Sequence, residues 1–105
     1  MNLLSTEFLT ICELCKRKGV NLTEHHLTPR EAGGKNLPTA LLCTTCHKQI
    51  HALFTNKELA LNLNTVQKLH DDEKIQRYLK WVEKQPVSAE FTIKKSRHVR
   101  KKNKR

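Results

Sequence analysis

The pattern of apolar and polar positions predicts short strands in the first half of the chain. Apolar residues before Thr55 come in brief runs that are interrupted by cysteines, glycines and prolines, which is typical of extended segments and loops. We predict one strand within residues 20–28 and another over 39–43. The stretch between them, residues 29–38, is rich in turn-forming residues and is predicted to be a loop. Residues 3–11 have no clean period, and either a short strand or a helical turn fits them.

Helical periodicity begins directly after the second predicted strand. Ile50, Leu53 and Phe54 lie at helical spacing. Either Thr44 or Thr45 can cap the helix that carries them, because a threonine hydroxyl accepts a hydrogen bond from a backbone N–H of the first turn. The sequence therefore predicts a strand that is followed at once by a helix.

Two or three more helices are predicted between residues 56 and 86. Asn56 can cap a short helix that runs through Leu61, and Asn64 can cap another. A last apolar face ends before Pro86 and comprises Ile75, Tyr78, Leu79, Trp81 and Val82. We expect these helices to cover and stabilise the segment that precedes them.

Four cysteines can provide the additional stability that a core of this size lacks. A domain of 105 residues buries little apolar surface, so a metal ion or disulfides usually supplement it. No stretch approaches the ~18 apolar residues of a membrane span, and the N-terminal residues do not resemble a secretory signal. We therefore expect a cytoplasmic protein with no membrane partner. In that reducing compartment two Cys-x-x-Cys pairs predict a structural zinc site, rather than disulfides or redox chemistry, with ligands Cys12, Cys15, Cys43 and Cys46.

The positive charge of the chain is concentrated at its C-terminus. The net charge is +10, and residues 94–105 contain eight lysines and arginines but no acidic residue. Such a block repels itself and includes Val99 as its one apolar residue, so we predict that it is a disordered arm. Its charge favours a polyanionic partner.

Four of the six histidines can meet in the predicted fold. His47 and His51 are four residues apart, so their imidazoles share one face of the predicted helix. His25 and His26 are adjacent on a predicted strand, where neighbouring side chains point to opposite faces. One histidine of the strand pair can therefore bind a metal ion together with the helix pair, while the other acts as a base. A second structural zinc site is the alternative.

Three stretches of the sequence resemble the HNH, or ββα-metal, nuclease family. They are CELC at residues 12–15, EHHLTPREAGG at 24–34 and LLCTTCHKQIHALF at 41–54. The resemblance is to the branch with two Cys-x-x-Cys knuckles. It covers roughly the first half of the chain and implies an α+β fold, in which a small ββα-metal (His-Me finger) core is stapled by a four-cysteine zinc site. The helical pattern and the charge of the rest of the chain add further helices and a disordered basic tail to this prediction. The predicted domains are the nuclease core at 1–55, a helical extension packed on it at 56–86, and a linker and disordered tail at 87–105.

The same resemblance implies a role for each histidine of the cluster. His26 would be the general base, and His25, His47 and His51 would hold one divalent cation, with Mg²⁺, Mn²⁺, Ni²⁺ and Zn²⁺ all open. The implied activity is the hydrolysis of phosphodiester bonds in DNA, with RNA as an alternative substrate. Basic residues that flank the site are predicted to contact phosphates, namely Arg30, Lys35 and Lys48.

One position departs from the family pattern. The central asparagine of the motif would fall at Pro38. Asn36 or Thr39 could supply its loop hydrogen bonds, or the proline could rigidify the loop by itself. This departure favours an alternative function, that of a catalytically inactive, zinc-containing DNA-binding module. A nicking subunit of a larger phage or restriction assembly is a further alternative, and the oligomeric state is left open.

Overall fold

The computed structural model describes residues 10–87, 93 and 95–103, and it has a two-stranded sheet followed by helices. The elements are β1 (Leu22–His26), β2 (Thr39–Cys43), α1 (Thr44–Leu53), α2 (Asn56–Asn62), α3 (Val66–Asp71), α4 (Glu73–Val82) and α5 (Arg97–Asn103). The predicted α+β class and the strand–strand–helix order of the core are confirmed. Among residues 10–87 and 95–103, no helix is both long and apolar enough to cross a bilayer. The element predicted within residues 3–11 lies almost entirely outside the described residues.

The two strands pair antiparallel, and one face of their sheet is buried against α1. On this face His25 lies opposite Ala40, and both side chains are buried. The neighbouring pair, Glu24 and Leu41, points to the other face and is exposed. Because the side chain of Ala40 is a single methyl group, it leaves room on the buried face for the imidazole of His25.

The loop between the strands folds back on itself. It contains one short 3-10 turn, Arg30–Ala32, and the N–H of Gly34 donates to the carbonyl of Pro29 at 3.1 Å. A Cβ atom at position 34 would overlap the carbonyl oxygen of Thr28. Glycine is therefore required at Gly34 for the loop to pass this close to its own beginning.

The first helix is capped by a cysteine. Cys43 has an extended backbone, and its sulfur accepts a hydrogen bond from the N–H of Cys46 at 3.4 Å. The prediction that Thr44 or Thr45 caps this helix was wrong, because the strand ends at Cys43 and Thr44 is already the first residue of the helix. Consequently, β2 and α1 are joined with no intervening loop.

The caps of the next two helices each lie one residue away from the predicted ones. Thr55 caps α2, and its hydroxyl accepts from the N–H of Glu58 while the Glu58 carboxylate accepts from the N–H of Thr55. Thr65 caps α3. Asn56 is instead the first residue of α2, and Asn64 precedes the cap of α3, so both predicted caps were wrong by one position.

A single cluster of buried side chains joins the hairpin to the C-terminal helices. From α4 it takes Ile75, Tyr78 and Val82, whereas Trp81 is 44% exposed, contrary to its predicted place on the buried face. The cluster also contains Leu42, Ile50, Leu59, Leu69 and the zinc-knuckle cysteines Cys12, Cys43 and Cys46. The helices after α1 therefore complete the same core that holds the cysteines.

Part of the basic C-terminal segment is folded onto the core. The N–H of Ser96 donates to the carbonyl of Ala52 at 2.7 Å, and Val99 of α5 is 1% exposed. His98 also contacts the Glu58 carboxylate at 3.0 Å. The prediction of a disordered arm was wrong for Arg97–Asn103, because the burial of one apolar side chain and these long-range hydrogen bonds offset the mutual repulsion of the charges. Of the other predicted arm residues, Lys95 and Ser96 are described, whereas 94, 104 and 105 lie outside the described residues.

Candidate functional site

The four cysteines converge on one point between the N-terminal turn and the start of α1. Their sulfur atoms all lie within 4.8 Å of one another, and the sulfurs of Cys15 and Cys43 are 3.9 Å apart. No disulfide joins any two of the four. These distances suit four thiolates around one tetrahedral ion, which is the arrangement of a structural zinc site. The cluster could therefore hold the predicted zinc ion.

Each Cys-x-x-Cys pair forms a tight turn with the same internal hydrogen bond. The N–H of Cys15 donates to the sulfur of Cys12 at 3.4 Å, as that of Cys46 does to Cys43. Gly19 has a φ of 72°, a backbone conformation that favours glycine, where the chain leaves the first turn. Two equivalent turns thus present their sulfurs to a common centre.

The sulfurs differ in how readily they carry negative charge, because hydrogen bonds, first of all with Cys12, raise the pKa of Cys43 and Cys46. The pKa of Cys15 lies far below its usual value because Cys12, and then Cys43, donates hydrogen bonds to its sulfur. Burial alone would lower the pKa of Arg17, but hydrogen bonds to Cys15 and Cys43 raise it. The hydroxyl of Tyr78 in α4 donates to the sulfur of Cys46 at 3.1 Å. Donors of this kind stabilise the thiolates of a metal site from outside the ligand shell.

Three imidazoles form a second cluster beside the first. The rings of His25, His47 and His51 lie 5.1 to 5.3 Å apart between centroids, and one nitrogen of each lies within 4.8 Å of the others. The residues come from β1 and from two successive turns of α1, and the knuckle at the start of α1 places that helix over the strand. The structure therefore brings together the three histidines to which the resemblance gave one cation.

His25 shows why this cluster fits a cation. It is fully buried, and neither of its ring nitrogens has a hydrogen-bond partner among the described residues. Burial, followed by the charges of His51 and His47, lowers the pKa of His25 to about 3. The ring is therefore neutral at physiological pH, and at least one buried lone pair is unsatisfied, which costs free energy unless a metal ion accepts it.

The other two rings of the cluster are also held neutral. Burial, and then the charge of His26, lowers the pKa of His47. Burial lowers the pKa of His51 as well, followed by the charges of His47 and Lys95. Protons therefore compete only weakly with a cation for these three rings near neutral pH.

His26 lies outside the cluster of three but close to it. It is half-buried and pairs with Thr39 at the end of the hairpin. Its charge contributes to the lowered pKa values of His25 and His47, after larger effects of burial. The alternation along β1 thus separates the two adjacent histidines, as the sequence suggested, and leaves His26 reachable by solvent.

The predicted phosphate-contacting residues are spread around the site. Arg30 lies in the 3-10 turn, Lys35 in the loop and Lys48 directly after His47 in α1, and all three are exposed. The structure adds Lys95, which lies near enough to His51 to lower its pKa. Nothing in the sequence distinguishes Lys95 from the other basic residues of this segment, because its position depends on the contact between Ser96 and α1.

At the position of the motif asparagine, Pro38 closes the hairpin through its backbone. Its carbonyl accepts a hydrogen bond from the N–H of Leu27 at 3.4 Å. The hydroxyl of Thr39 donates to the carboxylate of Glu24 across the strands at 3.2 Å. The two ends of the loop are therefore hydrogen-bonded to each other without a contribution from the side chain at position 38.

Comparison with known proteins agrees with this geometry. The HNH endonuclease family matches residues 12–53, from the first knuckle cysteine to the end of α1. The chain is also 52% identical over 99 residues to the "Uncharacterized protein YisB" of Bacillus subtilis (strain 168), with 94% of this chain and 99% of that protein covered. The chain belongs to the HNH endonuclease family. No solved structure matches it.

The family match covers both clusters of the HNH core but leaves out residues that support them. Tyr78 and Lys95 follow the matched segment. Thr23, whose hydroxyl lies 2.8 Å from Nδ1 of His47, is inside the matched segment but outside the three stretches that carry the resemblance. A signal for Thr23 was present in the sequence, because it precedes His25 by two residues and so shares its face of β1. No local signal pointed to Tyr78, whose partner Cys46 is remote in sequence.

Proposed function

We propose that the protein is a metal-dependent HNH endonuclease that hydrolyses phosphodiester bonds of DNA. In this proposal His26 is the general base, and His25, His47 and His51 hold one divalent cation. The observation that carries it is the buried ring of His25, whose two nitrogens have no partner among the described residues and which faces two further imidazoles. An unsatisfied group of this kind is rare outside functional sites.

The residues divide the chemistry between them. The cation, when bound, supplies positive charge for the phosphate and for the departing oxygen. His26 removes a proton from the water that attacks phosphorus, and its half-buried position leaves room for that water and for the substrate. Lys95, which is exposed beside His51, is placed to neutralise a neighbouring phosphate. The cysteine cluster has no open position and therefore serves the fold.

DNA is the proposed partner because the basic C-terminal segment packs against the helix that carries His47 and His51. The net charge is +10, and exposed basic residues of the C-terminal segment, Lys95, Arg97 and Arg100, extend from the end of α1. Phosphate contacts of this type bind without sequence preference and release counterions. The folded segment would hold the backbone of a nucleic acid beside the imidazole cluster.

A cleavage assay tests the proposed function. Protein whose zinc content has been measured is freed of other metals and mixed with supercoiled plasmid and with Mg²⁺, Mn²⁺, Ni²⁺ or Zn²⁺ in turn. We expect at least one cation to restore cleavage. His51→Ala should abolish cleavage at cation concentrations that saturate the wild type, because the two imidazoles that remain bind the cation more weakly than three. His70→Ala, an exposed histidine on α3, is the matched control and should cleave normally. Absence of cation-dependent cleavage in the wild type would overturn the nuclease proposal.

Removing charges from the C-terminal segment should weaken DNA binding without unfolding it. The variant carries Lys95→Gln, Arg97→Gln and Arg100→Gln and keeps Val99, whose burial holds the helix. Each lost phosphate contact lowers the slope of log K against log salt by about 0.9. We therefore expect a slope that is smaller by up to about 3, measured with a short duplex at several salt concentrations without added divalent cations.

The control for this variant removes the same amount of charge elsewhere. Arg77→Gln, Lys80→Gln and Lys84→Gln change exposed residues in and after α4. If the slope of log K against log salt falls equally in the two triple variants, only the net charge of the protein matters for binding. In that case the folded C-terminal segment does not contact DNA preferentially.

A further inference from the structure

We infer that Thr23 is a positioning residue that fixes the tautomer of His47 and thereby prepares one of the three imidazoles to bind the cation. The inference rests on the proposed cation site, although not on cleavage. Thr23 lies on β1, on the same face as His25. Its hydroxyl oxygen lies 2.8 Å from Nδ1 of His47 and 3.1 Å from the carbonyl oxygen of Leu42.

Counting donors and acceptors decides the direction of the two hydrogen bonds. A threonine hydroxyl has one hydrogen, and a carbonyl oxygen can only accept. The hydroxyl of Thr23 donates to Leu42, so it must accept from His47. If it donated to His47 instead, its oxygen would face the carbonyl oxygen of Leu42 at 3.1 Å with no hydrogen between them. One arrangement satisfies both contacts, and the other satisfies one.

This direction places the proton of His47 on Nδ1. An imidazole that binds a cation through one nitrogen is neutral and carries its single N–H on the other nitrogen. The lone pair is then on Nε2, at the far end of the ring from Thr23. Since Nδ1 is occupied by the hydroxyl, Nε2 is the nitrogen that remains for a cation shared with His25 and His51.

His25 differs from His47 in its hydrogen bonding. Its two ring nitrogens have no partner among the described residues, so no protein hydrogen bond selects its tautomer. The hydroxyl of Thr23 is itself fixed, because it is bonded to the backbone of the neighbouring strand. His47 is thus oriented before the cation arrives, and the strand pairing that orients it also brings His25 into place. Orienting groups behind metal-ligating histidines typically change affinity by about 10- to 100-fold.

The test compares Thr23→Val with Thr23→Ser in zinc-loaded protein. Valine keeps the branched shape but removes the hydroxyl, whereas serine keeps the hydroxyl. Titration calorimetry with Ni²⁺ alone, with zinc content checked before and after, should give a dissociation constant about 10- to 100-fold higher for Thr23→Val. Thr23→Ser should recover most of this loss. Thr39→Val removes a hydroxyl that bonds Glu24 instead and should bind Ni²⁺ like the wild type.

A second measurement needs neither Ni²⁺ nor cleavage. Long-range ¹H–¹⁵N correlation spectra of the wild type should show Nδ1 of His47 protonated and Nε2 unprotonated, and Thr23→Val should show a mixture of the two tautomers. Protonation of Nε2 in the wild type, or equal Ni²⁺ affinity of Thr23→Val and the wild type, would overturn the role of Thr23. Absence of Ni²⁺ binding at the wild-type histidines would instead contradict the proposed cation site. The spectra would still show which nitrogen of His47 is protonated.

Discussion

Replacing Cys43 and Cys46 together by serine is expected to leave most of the chain unfolded at room temperature. Zinc binding to structural sites contributes about 10–16 kcal/mol in small peptides, whereas whole domains are stable by only about 5–15 kcal/mol. Here the two cysteines mark the junction of β2 and α1, and both are in the buried core. Loss of the ion would therefore remove a contribution as large as the total stability.

The design of this variant separates the ion from the helix cap. Serine is a good capping residue, so Cys43→Ser retains an acceptor for the first turn of α1. Thr45→Ser, in the same turn, is the matched control. Zinc content and far-ultraviolet circular dichroism should both fall in the double variant and stay unchanged in the control. A zinc-free double variant that melts cooperatively at the wild-type temperature would show that the fold does not depend on the ion.

Cleavage by His26→Ala is expected to be about 10²- to 10⁴-fold slower than by the wild type, which is the usual contribution of a general base. The cation should still bind, because His26 lies outside the cluster of three imidazoles. DNA affinity should also change little. Single-turnover plasmid cleavage, with Ni²⁺ affinity measured on the same samples, tests all three statements.

Chemical rescue provides the control for this variant. Added imidazole should restore part of the activity of His26→Ala, because the space left by the side chain is half-open to solvent. It should not restore His51→Ala to the same extent, since a missing ligand also lowers cation affinity. Equal cleavage rates for the wild type and His26→Ala would remove His26 from the mechanism and favour the inactive DNA-binding module.

The elements that carry the chemistry could be predicted because they obey short-range rules. The alternation of a strand separated His25 from His26, and the helical repeat placed His47 and His51 on one face. The Cys-x-x-Cys spacing predicted the two turns. In each case the relevant residues lie within four positions of one another, where the periodicity of the backbone settles the geometry.

The features that the sequence did not reveal depend on contacts between distant residues. The C-terminal helix forms because Ser96 bonds to Ala52 and Val99 finds a place in the core. A charge pattern alone cannot show that such a place exists. The sulfur cap of α1 also requires the strand to end where the cysteine cluster holds it. These contacts follow from the assembled fold and have no local signature.

The hydrogen bond from Tyr78 to the sulfur of Cys46 limits how far the family motif can be treated as a module. A graft of residues 12–53 into another scaffold would carry every proposed ligand but lack the hydroxyl that donates to this sulfur. A substitution of Tyr78 would consequently affect the proposed zinc site, although Tyr78 is not one of its proposed ligands. The smallest transferable unit therefore extends beyond the motif to α4.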